Sequence, residues 1–207
     1  MTANGLLQVA LFFAVLTALA VPLGRYMAAV YEGRAGILDR ILGPLERLLY
    51  RLAGVDPSAE MSWRRYAGAL LLFNAVGFSV VYALQRLQAW LPLNPAGLPG
   101  VGADVALNTA VSFATNTNWQ AYGGETTMSQ LTQMLGLTVQ NFLSAATGMA
   151  VLVALVRGFT RREAASVGNF WVDLTRSTLH VLLPLSFVVA IILTSQGVPQ
   201  SFEASAR

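Results

Sequence analysis

Thr115, Asn116, Thr117, Asn118 and Gln120 belong to the run TNTNWQ, inside a stretch of twenty residues, 105–124, that carries no charge yet is crowded with amides and hydroxyls. Backbone carbonyls, amides and hydroxyls together make an oxygen-donor set that suits a cation stripped of its water, and no acidic ring is needed for that. Asparagine is among the non-glycine residues that best tolerate positive φ. Asn116 and Asn118 therefore stand where a carbonyl-lined filter needs unusual backbone angles, and Gly123 with Gly124 allows the chain to turn back. In a surface loop the same letters would mean nothing, so their meaning depends on the elements that hold them.

Little else in the chain could do chemistry. There is no cysteine, which excludes disulfides, thiolate metal sites and a cysteine nucleophile. His180 is the single histidine, so zinc-hydrolase and Ser/His/Asp arrangements lack material. All thirteen basic residues are arginine, and they form no dense patch with interleaved aromatics of the kind nucleic acid requires.

Of 207 residues, 55% are hydrophobic and 11% charged. A soluble domain carries about 25% charged residues, so this chain belongs in a membrane. A crossing helix needs about 20 apolar residues, and four runs meet that need: 1–24, 66–85, 126–156 and 177–196, the last with Pro184 as a kink. The first lacks a basic residue before its apolar run, which reads as an uncleaved helix rather than a signal peptide. The third is longer than one crossing requires and can include a lead-in turn or tilt. The fold class is thus an all-α membrane protein of four transmembrane helices plus one re-entrant pore helix with its filter loop.

Between these runs the composition inverts. Residues 25–65 hold seven arginines and five acidic residues, and residues 157–176 hold Arg157, Arg161, Arg162 and Arg176. Both arginine-rich loops fall on one side of a four-span chain and are expected in the cytoplasm, which puts the N-terminus outside. Within the first loop, ILDRILGPLERLLYRLAG has helical apolar spacing with arginines between, which suits either an interfacial amphipathic helix or a helix packed on its own protein. The stretch LPLNPAGLPGVG after the second span is too rich in proline and glycine to remain helical.

The polar run follows that breaker. Residues 104–115, with Asp104 able to cap the start, make a helix of about 18 Å, half a membrane. Irregular backbone at membrane depth must be buried in protein or line a cavity, so the economical arrangement enters and leaves by the outer side. The C-terminus of the half-helix would then lie near mid-membrane with a partial negative charge that favours a cation, and residues 115–120 would leave it as an extended strand. On the third span Thr138, Asn141, Ser144 or Ala145, and Gly148 share one face with Gln140 beside it; Gln140 and Asn141 are read as facing a cavity or another helix, and Ala146 and Ala150 as close-packing positions. His180 reads as a packing or subunit-contact histidine. Asp173 and Arg176 read as headgroup-level residues, paired with each other or a partner.

WLPLNPAGLPG, ALNTAVSFATNTNWQAYGGETTMSQLTQMLGLTVQNFLSAATGMAV and ALVRGFTRREAASVGNFWVDLTR resemble the N-terminal part of the potassium-binding subunit (KdpA) family of bacterial Kdp-type potassium-transporting ATPases. The resemblance runs from the first span to the last. It implies four repeats of helix, pore loop and helix around one filter, preceded by an extra helix. Here residues 1–30 would be the extra helix, 31–65 a cytoplasmic loop, 66–157 the first repeat, 158–176 a second loop, and 177–207 the first helix of an incomplete second repeat.

The resemblance also implies that Thr115, Asn116, Thr117 and Asn118 are the first repeat's share of a potassium filter, with Gln120 near its entrance. It implies potassium as the transported ion and no organic cofactor. The implied partners are a P-type ATPase catalytic subunit and small accessory membrane subunits, in the bacterial inner membrane. No DKTG motif or phosphate-binding loop occurs in this chain, so ATP hydrolysis is expected elsewhere. The family's chains are much longer, and this one is expected to be a fragment or truncated form, inactive alone. A non-conducting membrane scaffold and a homotetrameric cation channel are the competing readings.

Overall fold

The computed structural model describes residues 2–34, 36–160, 165–198 and 201–202. Among the described residues every regular element is helical, and four helices are long and apolar enough to cross a membrane: Ala3–Tyr31, Trp63–Trp90, Thr132–Thr160 and Phe170–Ser195. The four expected spans are therefore present. We label the helices α1 (Ala3–Tyr31), α2 (Ile37–Ala53), α3 (Trp63–Leu87), α4 (Ala103–Ala114), α5 (Gly124–Thr127), α6 (Thr132–Thr160) and α7 (Phe170–Ser195).

α1 begins at Thr2, whose hydroxyl accepts a bond from the Gly5 N–H at 3.2 Å, a standard N-cap. The helix runs past the end of the charge-free stretch at residue 24 and continues to Tyr31, close to the limit of 30 expected for the extra helix. A long arginine stem at the end of a span keeps its charge in water while its methylenes remain apolar, so Arg25 does not terminate the helix. Most of α1 packs on no other described residue; its docking is at the C-terminal end, through Val30, Tyr26 and Tyr31.

α3, α4 and α6 form the first of two cores. Val81, Ala106, Ala110, Phe113, Met128 and Leu137 are buried together there. The second core lies toward the other end of α3 and α6, where Tyr66, Ala146, Ala150, Phe170 and Leu174 meet. Ala146 and Ala150 thus fill the close-packing role read from the sequence. The lead-in to the third span is the short α5, and α6 itself opens with a π-helical turn over Thr132–Thr138.

α7 begins at Phe170, several residues ahead of the expected boundary. Asp173 and Arg176 therefore lie in the first two turns of a helix, and they are not paired with each other. Asp173 is buried and takes both guanidinium nitrogens of Arg157, at 2.6 and 2.9 Å, with the Tyr66 hydroxyl at 3.1 Å as a further donor. Neutralisation by a forked arginine is what permits a carboxylate at that depth. Gly168, at φ +102, lies directly under the Arg157 guanidinium, where a Cβ would collide. Arg176 turns the other way, to Glu46 and to the Tyr31 carbonyl. Arg161 and Arg162 of the same loop are outside the described residues.

Pro184 leaves its mark on α7 as a π-helical segment over Ser177–Leu182. A proline cannot donate to the carbonyl four residues earlier, which here is that of His180. The Tyr26 hydroxyl of α1 donates to the His180 oxygen instead, at 2.5 Å.

Candidate functional site

The half-length helix expected at 104–115 is α4, twelve residues from Ala103 to Ala114. Ala106, Ala110 and Phe113 recur at helical spacing and are the buried face against α3. Its N-cap is Gly102, with no side-chain capping bond; Asp104 occupies the first turn, where its charge complements the helix dipole without acting as the cap.

What holds the start of α4 went unread in the sequence. Gln85, fully buried near the end of α3, donates through Nε2 to the carbonyls of Val81 and Ala106 at 3.0 and 3.2 Å. The Val101 N–H donates to the Gln85 carbonyl at 3.0 Å. Gln88, also fully buried, gives Nε2 to the Pro99 and Thr127 carbonyls at 2.7 and 2.8 Å and accepts the Ser129 N–H at 2.9 Å. One amide thus ties the loop before α4 to the segment after it. Gly100 fits the same contact, since a Cβ there would come within 2.6 Å of the Arg86 carbonyl. The available signal was two glutamines at the end of an apolar span, where unpaired amides are costly.

The polar segment itself departs from the expected extended strand. Thr115 has φ −89, and Asn116 and Asn118 have φ +58 and +57. Among the described non-glycine residues only Leu93 shares a positive φ with these two asparagines. The chain therefore curls over the end of α4 rather than running straight. The N–H groups of Asn116, Thr117 and Asn118 turn inward, to the Phe113 carbonyl at 3.3 Å and to the Ser112 carbonyl at 2.9 and 3.2 Å. The orphan carbonyls that close a helix supply the reason: curling satisfies them, whereas an extended exit would not.

With those N–H groups committed, the carbonyls of residues 115–118 accept no hydrogen bond from any described residue. Side chains brace the curl. The Thr115 and Thr117 hydroxyls meet at 2.8 Å, and Asn118 Nδ2 donates to Asn116 Oδ1 at 3.3 Å. Ser144 of α6 donates to the same Asn116 oxygen at 3.2 Å. Thr115, Asn116, Thr117, Asn118 and Gln120 are all exposed in the isolated chain.

Beside the curl lies a cleft of about 540 Å³ between α3 and α6, with Thr115, Asn116, Ser144 and Thr147 on its wall together with Asn74 of α3. Ser144 and Gly148 thus face the segment as their spacing suggested, and Asn74 and Thr147 are additions that only the packing reveals. Thr138 does not join them; it is exposed and bonds back to the Gln133 carbonyl. Gln140 is buried with its amide against Gly77 of α3, a helix-packing position without a hydrogen bond at Nε2. The Asn141 Oδ1 is likewise buried without a partner among the described residues.

A second polar cluster forms at the far end. Glu46 of α2 accepts from Tyr50 at 2.8 Å and Arg176 at 3.2 Å, and pairs with His180 Nε2 at 2.7 Å. Burial alone would raise this carboxyl, but the bonds from His180, Tyr50 and Arg176 together outweigh it and hold it at about 2. His180 is thus buried against Glu46, while its Nδ1 has no hydrogen-bond partner among the described residues.

Comparison with known proteins adds the following. The family described as KdpA, potassium-transporting ATPase A subunit, matches residues 10–207. A potassium-transporting ATPase potassium-binding subunit from Methylococcus capsulatus is 67% identical over 203 residues, 98% of this chain and 34% of that protein. The proteins of the same name from Sorangium cellulosum and Bordetella pertussis are 65% and 63% identical over 98% of this chain, and 35% and 34% of their own lengths. The chain spans about a third of the length of these relatives.

Proposed function

The chain belongs to the potassium-transporting ATPase A subunit family, and from that premise we propose that residues 115–118 supply one quarter of a backbone-carbonyl potassium filter. The observation that carries this reading is the division of labour along the curl. Its N–H groups are consumed by the end of α4, while its carbonyls are left unengaged and its side chains brace one another. A backbone so arranged offers oxygen to a dehydrated cation at no cost to its own hydrogen bonding. Positive φ at Asn116 and Asn118 is what turns the N–H groups one way and frees the oxygens.

Depth in the membrane supports the same reading. Asn116 touches Ser144, close to the middle of the 29-residue span Thr132–Thr160. A segment at that level on a twelve-residue helix fits a re-entrant loop that enters and leaves by one side. The exposure of all five residues fits a site that is one part of a ring, with the other three parts contributed by further repeats.

The wider function follows the names of the relatives. The chain would be the N-terminal third of an ion-binding subunit, working with an ATP-hydrolysing P-type subunit and small accessory membrane subunits in a bacterial inner membrane. Thr115, Asn116, Thr117 and Asn118 would contact the ion, and Gln120 would stand at the entrance. In a full-length subunit carrying this sequence, Gln120→Arg is expected to weaken potassium uptake at low external potassium by placing a fixed cation at the mouth. Unchanged apparent affinity in that variant removes Gln120 from the entrance and counts against the filter.

A further inference from the structure

α2 is amphipathic in the reverse sense for a helix on a protein surface. The face turned toward the rest of the chain is polar: Glu46 and Tyr50 are buried against Arg176 and His180 of α7, and Asp39 lies 3.8 Å from His180 Nδ1. The apolar stripe points away. Ile37, Ile41, Leu45, Leu48 and Leu52 follow one another at three- and four-residue intervals and are 41 to 75% exposed. In water that stripe would have been the face to bury.

The third face is basic. Arg40, Arg47 and Arg51 share one edge of the helix, all exposed, and none is paired with a carboxylate among the described residues. At 100° per residue they lie about 100° from the centre of the apolar stripe, the position of a headgroup when the stripe is sunk among acyl chains. α2 is also anchored where a bilayer must be. It follows α1 after a short turn and is clamped to the flank of α7, two helices long and apolar enough to span.

We propose that α2 lies in the membrane interface and that Arg40, Arg47 and Arg51 form a binding edge for the phosphate headgroups of anionic phospholipids. Arginine matches a phosphodiester with its planar fork, and three arginines in a row, spaced by about two helical turns and then about one, track neighbouring headgroups. The polar clamp of Glu46 to Arg176 and His180 fixes the rotation of the helix, so the apolar stripe faces the acyl chains and the arginines lie at the surface. This surface is independent of the filter assignment.

The absence of cysteine from the sequence permits a clean test. Leu48→Cys carries a nitroxide in the 207-residue chain, reconstituted in phosphatidylcholine nanodiscs with added phosphatidylglycerol. Access for oxygen with protection from a water-soluble nickel chelate is the expected result. Access for the chelate, or protection from both reagents because protein covers the stripe, overturns the interfacial placement.

Retention of spin-labelled phosphatidylglycerol relative to phosphatidylcholine then tests the arginines. The triple substitution Arg40→Gln, Arg47→Gln and Arg51→Gln should cut that preference at least about fivefold, the contribution of a single arginine at an anionic surface. Lysine at the same three positions should keep most of it. An equal preference in the parent and the glutamine variant refutes the binding edge.

Discussion

The Arg157–Asp173 pair joins α6 to α7, and its removal is the perturbation whose size the structure sets most clearly. Asp173 is 1% exposed at its side chain and Arg157 20%. The two form a fork of 2.6 and 2.9 Å. Taking away one partner leaves the other charged group stranded, at about 3–5 kcal/mol for a buried pair. A fifth of Arg157 still reaches solvent, so about 3 kcal/mol is the better figure for Asp173→Leu.

For a chain of about 200 residues that corresponds to a fall in Tm of roughly 6–12 °C. Thermal unfolding of the detergent-solubilised chain, followed by helical circular dichroism, reads it directly. The double substitution Arg157→Met with Asp173→Leu removes both charges and should recover most of the loss, since no stranded group remains. Single substitutions that shift Tm by less than about 2 °C, or losses that simply add in the double variant, would refute a coupled buried pair.

Three further outcomes follow. Asn116→Gly and Asn116→Val both lose the bonds that Asn118 and Ser144 donate to Asn116 Oδ1, but only valine also carries the cost of positive φ, so the valine variant should be about 1–2 kcal/mol the less stable of the two; equal effects in the same unfolding assay contradict a left-handed requirement. Glu46 is held at about 2 against an ordinary 4.5, so its contribution to α2 docking is complete above about 4.5 and is lost as pH falls toward 2. Proteolysis within α2 should accelerate over that window, and Glu46→Gln should abolish the pH dependence. Gln88→Leu leaves the Pro99 and Thr127 carbonyls and the Ser129 N–H without their partner, at about 1–3 kcal/mol for each group left buried; faster hydrogen exchange at Ser129 is the expected sign, and unchanged protection there would show that Gln88 does not hold the loop.

The parts of the site governed by local rules were legible in the sequence. Charge-free length marked the four spans, proline and glycine marked the break before α4, and the tolerance of asparagine for positive φ identified Asn116 and Asn118. The exit from α4 was misread as extended, because the pull of the Ser112 carbonyl on Thr117 and Asn118 is visible only once the helix end is built. The partners of Asp173 were hidden for a similar reason. Nothing in the spacing of Arg157, Tyr66 and Asp173 announces that three helices bring them together. Glu46 and His180, far apart in the chain, are the same case. Gln85, Gln88 and Asn74 could have been found by asking of each isolated amide in an apolar span where its hydrogen bonds go.

The filter claim is tested most directly by locating the ion. A full-length subunit carrying this sequence, crystallised with thallium or rubidium in place of potassium, should show anomalous density against the carbonyl oxygens of residues 115–118. Asn116 and Asn118 should retain positive φ and their N–H groups should remain on the end of α4. An occupied ion position coordinated elsewhere, with those four carbonyls turned away from it, would contradict the account.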